Sequence, residues 1–137
     1  MIEICRVRLL VDFGLLILIW IVQLIIYPSF SHFSKEDLVE WHRKYTALMG
    51  FIVVPLMLSE LGIYLVTLFT KPTLWNIVGM VLVIAIWVMT FVQFVPMHNA
   101  ISKGKVDENL LEKLVKTNWG RTLLWSILFI LGSLTCL

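Results

Sequence analysis

What this chain has least of is charge. Of its 137 residues only 15% are Asp, Glu, Lys or Arg, while 60% are hydrophobic and the mean hydropathy is +0.94. A soluble domain sits nearer about 45–50% apolar, and so small a body cannot enclose this much apolar surface. A water-soluble globule is therefore excluded, and lipid is the expected surrounding. Eleven basic residues against nine acidic ones leave a formal net charge of +2 with the signs interleaved, which excludes a nucleic-acid partner. Cysteine is nearly missing as well. Cys5 and Cys136 stand at the extreme ends without metal-type spacing and read as inert thiols, with a disulfide left open because both termini fall on one side. No small-residue cleavage site follows the apolar run after Arg6 and Arg8, so that run is expected to be a mature transmembrane helix and not a signal peptide. Internal repeats, linkers, a nucleophile elbow and a phosphate-cradling glycine loop are all lacking.

What is present are apolar runs of membrane length. Spans are expected at about 9–27, 45–69, 74–95 and 117–137, since roughly 20 helical residues cross a hydrocarbon core of about 30 Å. Pro28 and Pro96 are expected to end the first and third spans, and Pro55 to kink the second. Ser34 with Asp37 three residues on predicts a helix N-cap ahead of the second span, and Asp107 predicts another ahead of the amphipathic stretch Glu108 to Lys116. Lys71-Pro72-Thr73 is so short that the second and third spans must be antiparallel neighbours. The expected fold is all-α, an integral membrane four-helix bundle, antiparallel in up-down-up-down order, forming one domain over the whole chain.

That path puts both termini on one face and the segments 28–44 and 98–116 on the other. Eight of the eleven basic residues (Lys35, Arg43, Lys44, Lys103, Lys105, Lys113, Lys116 and Arg121) belong to the loop face, which the positive-inside rule makes cytoplasmic. The expected location is a bacterial inner membrane, crossed several times.

The residues able to carry chemistry collect at the loop face. Asn118, Arg121, Thr122 and Trp125 follow i, i+3, i+4, i+7 spacing and share one helix side. A charge near mid-bilayer costs on the order of 2.5–3.5 kcal/mol, so Arg121 either faces a partnered pocket or snorkels to the headgroups. His42 and His98 are candidate general acid–base groups, or plain interfacial polar groups, or ligands of a haem or metal; without a His-x-x-x-His or Glu-x-x-His pair no metal site is assigned, and the cofactor is left unknown. Gln93, Asn99, Asn118, Trp119, Trp125, Trp41 and Arg43 are the candidate ligand-binding residues around them. Trp41 and Trp119 also fit an interfacial aromatic belt, and Trp125 a bundle core. Glu60 is a buried acid deep in the second span, about 27 Å from His42 at 1.5 Å per residue. It is grouped with Asp12 and Gln23 in the opposite half of the bundle, either as a neutral hydrogen-bonded group or in a proton-relay or ligand role.

Gln93 to Ile101, Gly104 and the run Leu114 to Thr122 with Trp125 resemble the C-terminal half of small bacterial four-helix membrane proteins, most without an assigned reaction. Tyr27-Pro28-Ser29-Phe30 and Pro55 to Glu60 fit the same group. More loosely, the chain is similar to the anthrone-oxygenase-like superfamily, in which a proline–asparagine segment ends one helix and a Trp/Asn-x-x-Arg opens the next. The resemblance implies cofactor-independent oxygenation of a polycyclic phenol, with Asn99, Asn118 and Arg121 at the matching polar positions and His98 where that superfamily often has another residue.

The functional expectation is a loop-face pocket for a lipophilic, aromatic or quinone-like small molecule, either as an oxidoreductase using His98, His42 and Arg121 or as a non-enzymatic accessory or scaffold subunit. Beyond the bilayer and that ligand, the remaining partner class is a second copy of the chain.

Overall fold

The computed structural model describes residues 2–136; position 137, the end of the fourth expected span, lies outside them. Four helical rods make up the fold, and no strand occurs among the described residues. Helix α1 begins as Ile2–Ile21 and runs on through a π-helical turn, Val22–Ile26, then Tyr27–Ser29 and a 3-10 turn, Phe30–His32. Helix α2 is Lys35–Thr70. Helix α3 is Leu74–Met89, continued by a second π-helical turn, Thr90–Phe94, and by Val95–Ser102. Helix α4 is Glu108–Cys136. All four are long and apolar enough to cross a membrane.

Neither Pro28 nor Pro96 stops its helix, contrary to the sequence expectation. A proline has no N–H and its ring collides with the carbonyl four residues back. Both rods solve this with one wide turn immediately upstream: Tyr27 N–H donates to the Val22 carbonyl and Val95 N–H to the Thr90 carbonyl, five residues apart in each case. The helix then continues past the proline and carries His98 and Ser102 with it. Pro55 likewise lies inside the unbroken α2.

Two caps follow the sequence signals: Ser34 Oγ accepts from Asp37 N–H at 3.2 Å and Asp107 Oδ1 from Leu110 N–H at 2.7 Å. A third, not expected from the sequence, is Thr73 Oγ1, which accepts from Asn76 N–H at 3.3 Å. Gly104 turns the chain out of α3 at φ +77°, a left-handed conformation that glycine adopts without cost.

Contacts between α1 and α4 run in opposite senses: Arg8 meets Thr135 and Cys136, while Gln23 meets Val115, Asn118 and Thr122. Similarly Asp12 meets Tyr64 of α2, and Phe30 meets Tyr45. Leu15, Ile19, Val83, Ile86 and Leu128 fill the centre. The outside is apolar too, with Phe51, Phe69 and Leu134 each more than 75% exposed. A soluble monomer rarely shows such a surface. Cys5 and Cys136 form a disulfide across a sequence separation of 131, correcting the reading of both as inert thiols. Packing of the first and last turns brings their Cα atoms to 5.6 Å, within disulfide reach.

Candidate functional site

At the end of the bundle that carries the loops, hydrogen bonds link buried and partly buried side chains from all four helices. The row begins at Ser102 of α3, whose Oγ lies 2.9 Å from His42 Nδ1 of α2. His42 Nε2 is 2.8 Å from His98 Nδ1, with the two rings near-parallel at 5.0 Å between centroids. His98 Nε2 is in turn 2.8 Å from the hydroxyl of Tyr27 on α1. Arg121 of α4 donates from Nη2 to that hydroxyl at 3.1 Å. Every ring nitrogen of the histidine pair is thereby engaged within the row. Among the described residues no group of three or more His, Cys, Asp or Glu is placed to hold a metal ion.

Arg121 is held from three sides. Its Nε and Nη2 donate to Asn118 Oδ1 at 3.0 and 2.7 Å, its Nη1 reaches Thr90 Oγ1 at 3.5 Å, and its guanidinium lies over the Phe94 ring at 3.4 Å. Asn118 passes the network on, donating from Nδ2 to Gln23 Oε1 at 2.9 Å; Thr122 donates to the same oxygen at 3.2 Å. Ion pairs among the described residues are Arg6–Glu3, Lys44–Glu40 and Lys116–Glu112, all at the surface. Arg121 therefore sits buried among neutral acceptors with no carboxylate to pair it, an arrangement that leaves its charge available to an anionic or strongly dipolar oxygen.

Against this network lies a cavity of about 410 Å³. Arg121, Tyr27, Thr90 and His98 are on its polar side, with Tyr45, Thr46, Asn99 and Ser102 toward the loop-end rim. Apolar side chains such as Leu15, Ile19, Met57 and Phe94 form the rest, with Trp87 and Trp125 at the deep end. Val54, Phe91 and Val95 line it as well and are exposed on the outside of the bundle, so the cavity opens sideways between α2 and α3.

Most residues expected at this site assemble there: His42, His98, Asn118, Arg121 and Trp125 are in the network or the cavity wall, and Asn99 lines the cavity near its rim. Others point elsewhere. Gln93 is exposed and is absent from the cavity wall. Trp41 is exposed, and Arg43 closes the loop end by donating from Nε to the Ser102 carbonyl at 3.1 Å. Trp119 packs edge-on against Trp20 at 5.8 Å on the outer surface. Gln23 is corrected. It joins Asn118 and Thr122 because α1 and α4 cross there, and it does not join Asp12 and Glu60. Glu60 is nearer to the site than helix rise alone suggests: it accepts from Trp125 Nε1 at 3.0 Å, so one tryptophan separates it from the cavity.

Sequence reasoning missed Tyr27, Thr90 and Ser102. Tyr27 follows the apolar run Leu24, Ile25 and Ile26 and precedes Pro28, a place that reads as an interfacial anchor. The one signal that could have found it is the parallel between Val22–Pro28 and Thr90–Pro96, each seven residues ending in proline.

The opposite end has its own buried polar group. Arg8 donates to Asn76 Oδ1 at 3.4 Å, the Gly132 carbonyl at 3.2 Å and Thr135 Oγ1 at 2.7 Å, and lies 2.9 Å from Cys136 Sγ. Tyr64 donates to Asp12 Oδ2 at 2.9 Å.

These features define an all-helical protein of four membrane-length helices with a side-opening cavity and a buried, carboxylate-free arginine. In comparisons with known proteins, no family model, curated protein or solved structure matches the chain.

Proposed function

We propose that this is an integral membrane protein whose helices cross a bacterial inner membrane in antiparallel up-down-up-down order, and whose loop-end cavity binds a flat lipophilic molecule, aromatic or quinone-like, bearing a hydroxyl or carbonyl oxygen. The observation that carries this reading is a cavity of about 410 Å³ with apolar walls and a single cationic group, Arg121. Ligand sites typically combine such an apolar lining with a few fixed polar groups. In a bilayer the side opening at Val54, Phe91 and Val95 faces acyl chains, so a lipophilic ligand arrives without crossing water. Its oxygen meets Arg121 and Tyr27, and its rings lie against Phe94, Trp87 and Trp125.

Arg121 also suits an enzyme that ionises a phenol, since a guanidinium beside a developing oxyanion stabilises it where water is excluded. This is the cofactor-independent oxidoreductase chemistry that the anthrone-oxygenase-like resemblance implies. A second reading, a non-enzymatic accessory subunit, draws on the closed Gln23–Asn118–Thr122 bonds, which tie α1 to α4 whatever the cavity holds. For orientation, the basic loop end favours the cytoplasmic side, and the Cys5–Cys136 disulfide favours the opposite end facing the oxidising compartment.

Menadione titrated into the purified protein in detergent tests the reading through tryptophan fluorescence. Saturable quenching is expected, lost in Arg121→Ala and in Gly50→Phe. Gly50 lines the cavity, and a Cβ built there meets nothing within 4 Å, so a side chain can be added at that position to occlude the cavity. Quenching that does not saturate, or that both variants retain, would overturn it.

A further inference from the structure

The row from Ser102 through His42 and His98 to Tyr27 has a property that its separate bonds do not. Arg121 is a donor only, so the Tyr27 oxygen accepts from it. Each neutral imidazole has one N–H and one bare nitrogen. Once one bond in the row takes a direction, every other bond must follow it. Two internally consistent arrangements result. In the outward one, Tyr27 O–H donates to His98 Nε2, His98 Nδ1–H to His42 Nε2, and His42 Nδ1–H to Ser102 Oγ. Tyr27 then offers the cavity a lone pair. In the inward one every bond reverses, and Tyr27 offers the cavity its O–H.

We infer that this row is a proton path by which a hydroxyl group bound in the cavity is ionised and its proton delivered to the loop end. The inference rests on the ligand-binding reading above and names its ligand class as an acidic, phenol-type hydroxyl. His98 has no free nitrogen with which to touch the ligand, so Tyr27 makes that contact, and the two histidines act through it. The ligand O–H bond breaks as its proton joins Tyr27 Oη. The Tyr27 proton moves to His98 Nε2, the His98 Nδ1 proton to His42 Nε2, and the His42 Nδ1 proton to Ser102 Oγ. Ser102's own proton leaves to water. The ligand keeps the electron pair and becomes an oxyanion beside Arg121, accepting from the Tyr27 hydroxyl. The row ends in its inward arrangement, and nothing is oxidised or reduced. The reverse passage resets it.

The surroundings favour neutral histidines and a mobile proton. His42 is fully buried, edge-on to Phe30 at 5.7 Å and 6.0 Å from Tyr45. The charged groups on the row are Arg121 at its inner end and Arg43 on the Ser102 carbonyl at its outer end. None of the row's hydrogen-bond partners is a carboxylate that would hold the proton midway. Ser102 is only partly buried, at the last turn of α3 and beside Asn99 on the loop-end rim of the cavity, which gives the path its exit.

4-Nitrophenol separates binding from ionisation, because its phenolate absorbs in the visible while the bound nitroaromatic quenches Trp87 and Trp125. On rapid mixing with the purified protein, the phenolate band and the quenching are expected to develop together. In His42→Gln, whose amide keeps hydrogen bonds to both neighbours but does not relay protons between them, the band should lag the quenching by at least about tenfold. Ser102→Ala, at the partly exposed exit, should give a smaller lag of the same kind. Band and quenching that stay coincident in both variants would overturn the proton path while leaving the ligand site standing. An absence of saturable quenching in the unaltered protein would overturn both.

Discussion

Two buried arginines stand at opposite ends of this bundle, and they are fastened differently. Arg8 is bonded to a backbone carbonyl and side chains from the final turns of α4 and to Asn76 of α3, beside a covalent cross-link between the chain ends. Arg121 is bonded to side chains alone, from α1, α3 and its own helix, and faces a cavity. The first arrangement ties helix ends together beside a polar cavity; the second holds a charge against an apolar one. A buried cation is costly in either place. Arg8 also borders a cavity, of about 480 Å³, but that one is lined largely by polar side chains such as Thr67, Thr70, Lys71 and Asn76, whereas the walls beside Arg121 are apolar and aromatic. The same residue type thus serves as a fastening at one end and as the candidate site at the other.

Substitutions at the two ends should separate these roles. The largest effect is expected for Asn118→Leu, which strips acceptors from Arg121 and a donor from Gln23. Breaking a buried network in this way costs about 3–5 kcal/mol, so both thermal stability and menadione binding should fall. If binding survives with full affinity, the loop-end contrast fails. Next comes Cys5→Ser, which opens a covalent loop of 131 residues. A loss of about 2–4 kcal/mol in stability is expected, with menadione affinity unchanged; an equal fall in affinity would show that the two ends are coupled. Trp125→Phe removes the donor to Glu60 Oε1, whose Oε2 already lacks a partner. It should destabilise the protein by about 1–3 kcal/mol and shallow the quenching, because one of the two cavity tryptophans is gone. The smallest effect belongs to Trp20→Phe. That change loses one exposed bond to Ser126, worth about 0.5–1 kcal/mol, and calorimetric or denaturant midpoints should barely move.

Gly79 offers a check on packing on the side of the bundle away from the loop-end cavity. A Cβ there would lie 2.6 Å from the Tyr64 ring, and Tyr64 is tied to Asp12, so it cannot easily yield. Gly79→Ala is expected to cost about 1–3 kcal/mol with the cavity intact, read as a lowered unfolding midpoint at unchanged menadione affinity.

Helix number, helix caps and the shared face of Asn118, Arg121, Thr122 and Trp125 were legible in the chain, because each depends on residues within a few turns of one another. The clustering of His42 and His98 with Arg121 was legible too, as a consequence of how often the chain reverses. The fate of the prolines was not. Whether Pro28 and Pro96 end a helix depends on one widened turn that no residue type announces.

What only tertiary structure decided is the partner of each polar side chain. Gln23 is one apolar-flanked amide in the sequence, and nothing local distinguishes Asn118 from Asp12 as its neighbour; the crossing of α1 and α4 chose. Tyr27 became the contact at the cavity, and Cys5 met Cys136, for the same reason: side-chain encounters across helices depend on rotation and register between rods. Sequence by itself determined four apolar helices and the end at which their polar groups gather, because hydrophobic length and helical period are properties of a single segment. Which of those groups touch, and which are left facing open space, is a property of pairs of segments, and packing alone supplies it.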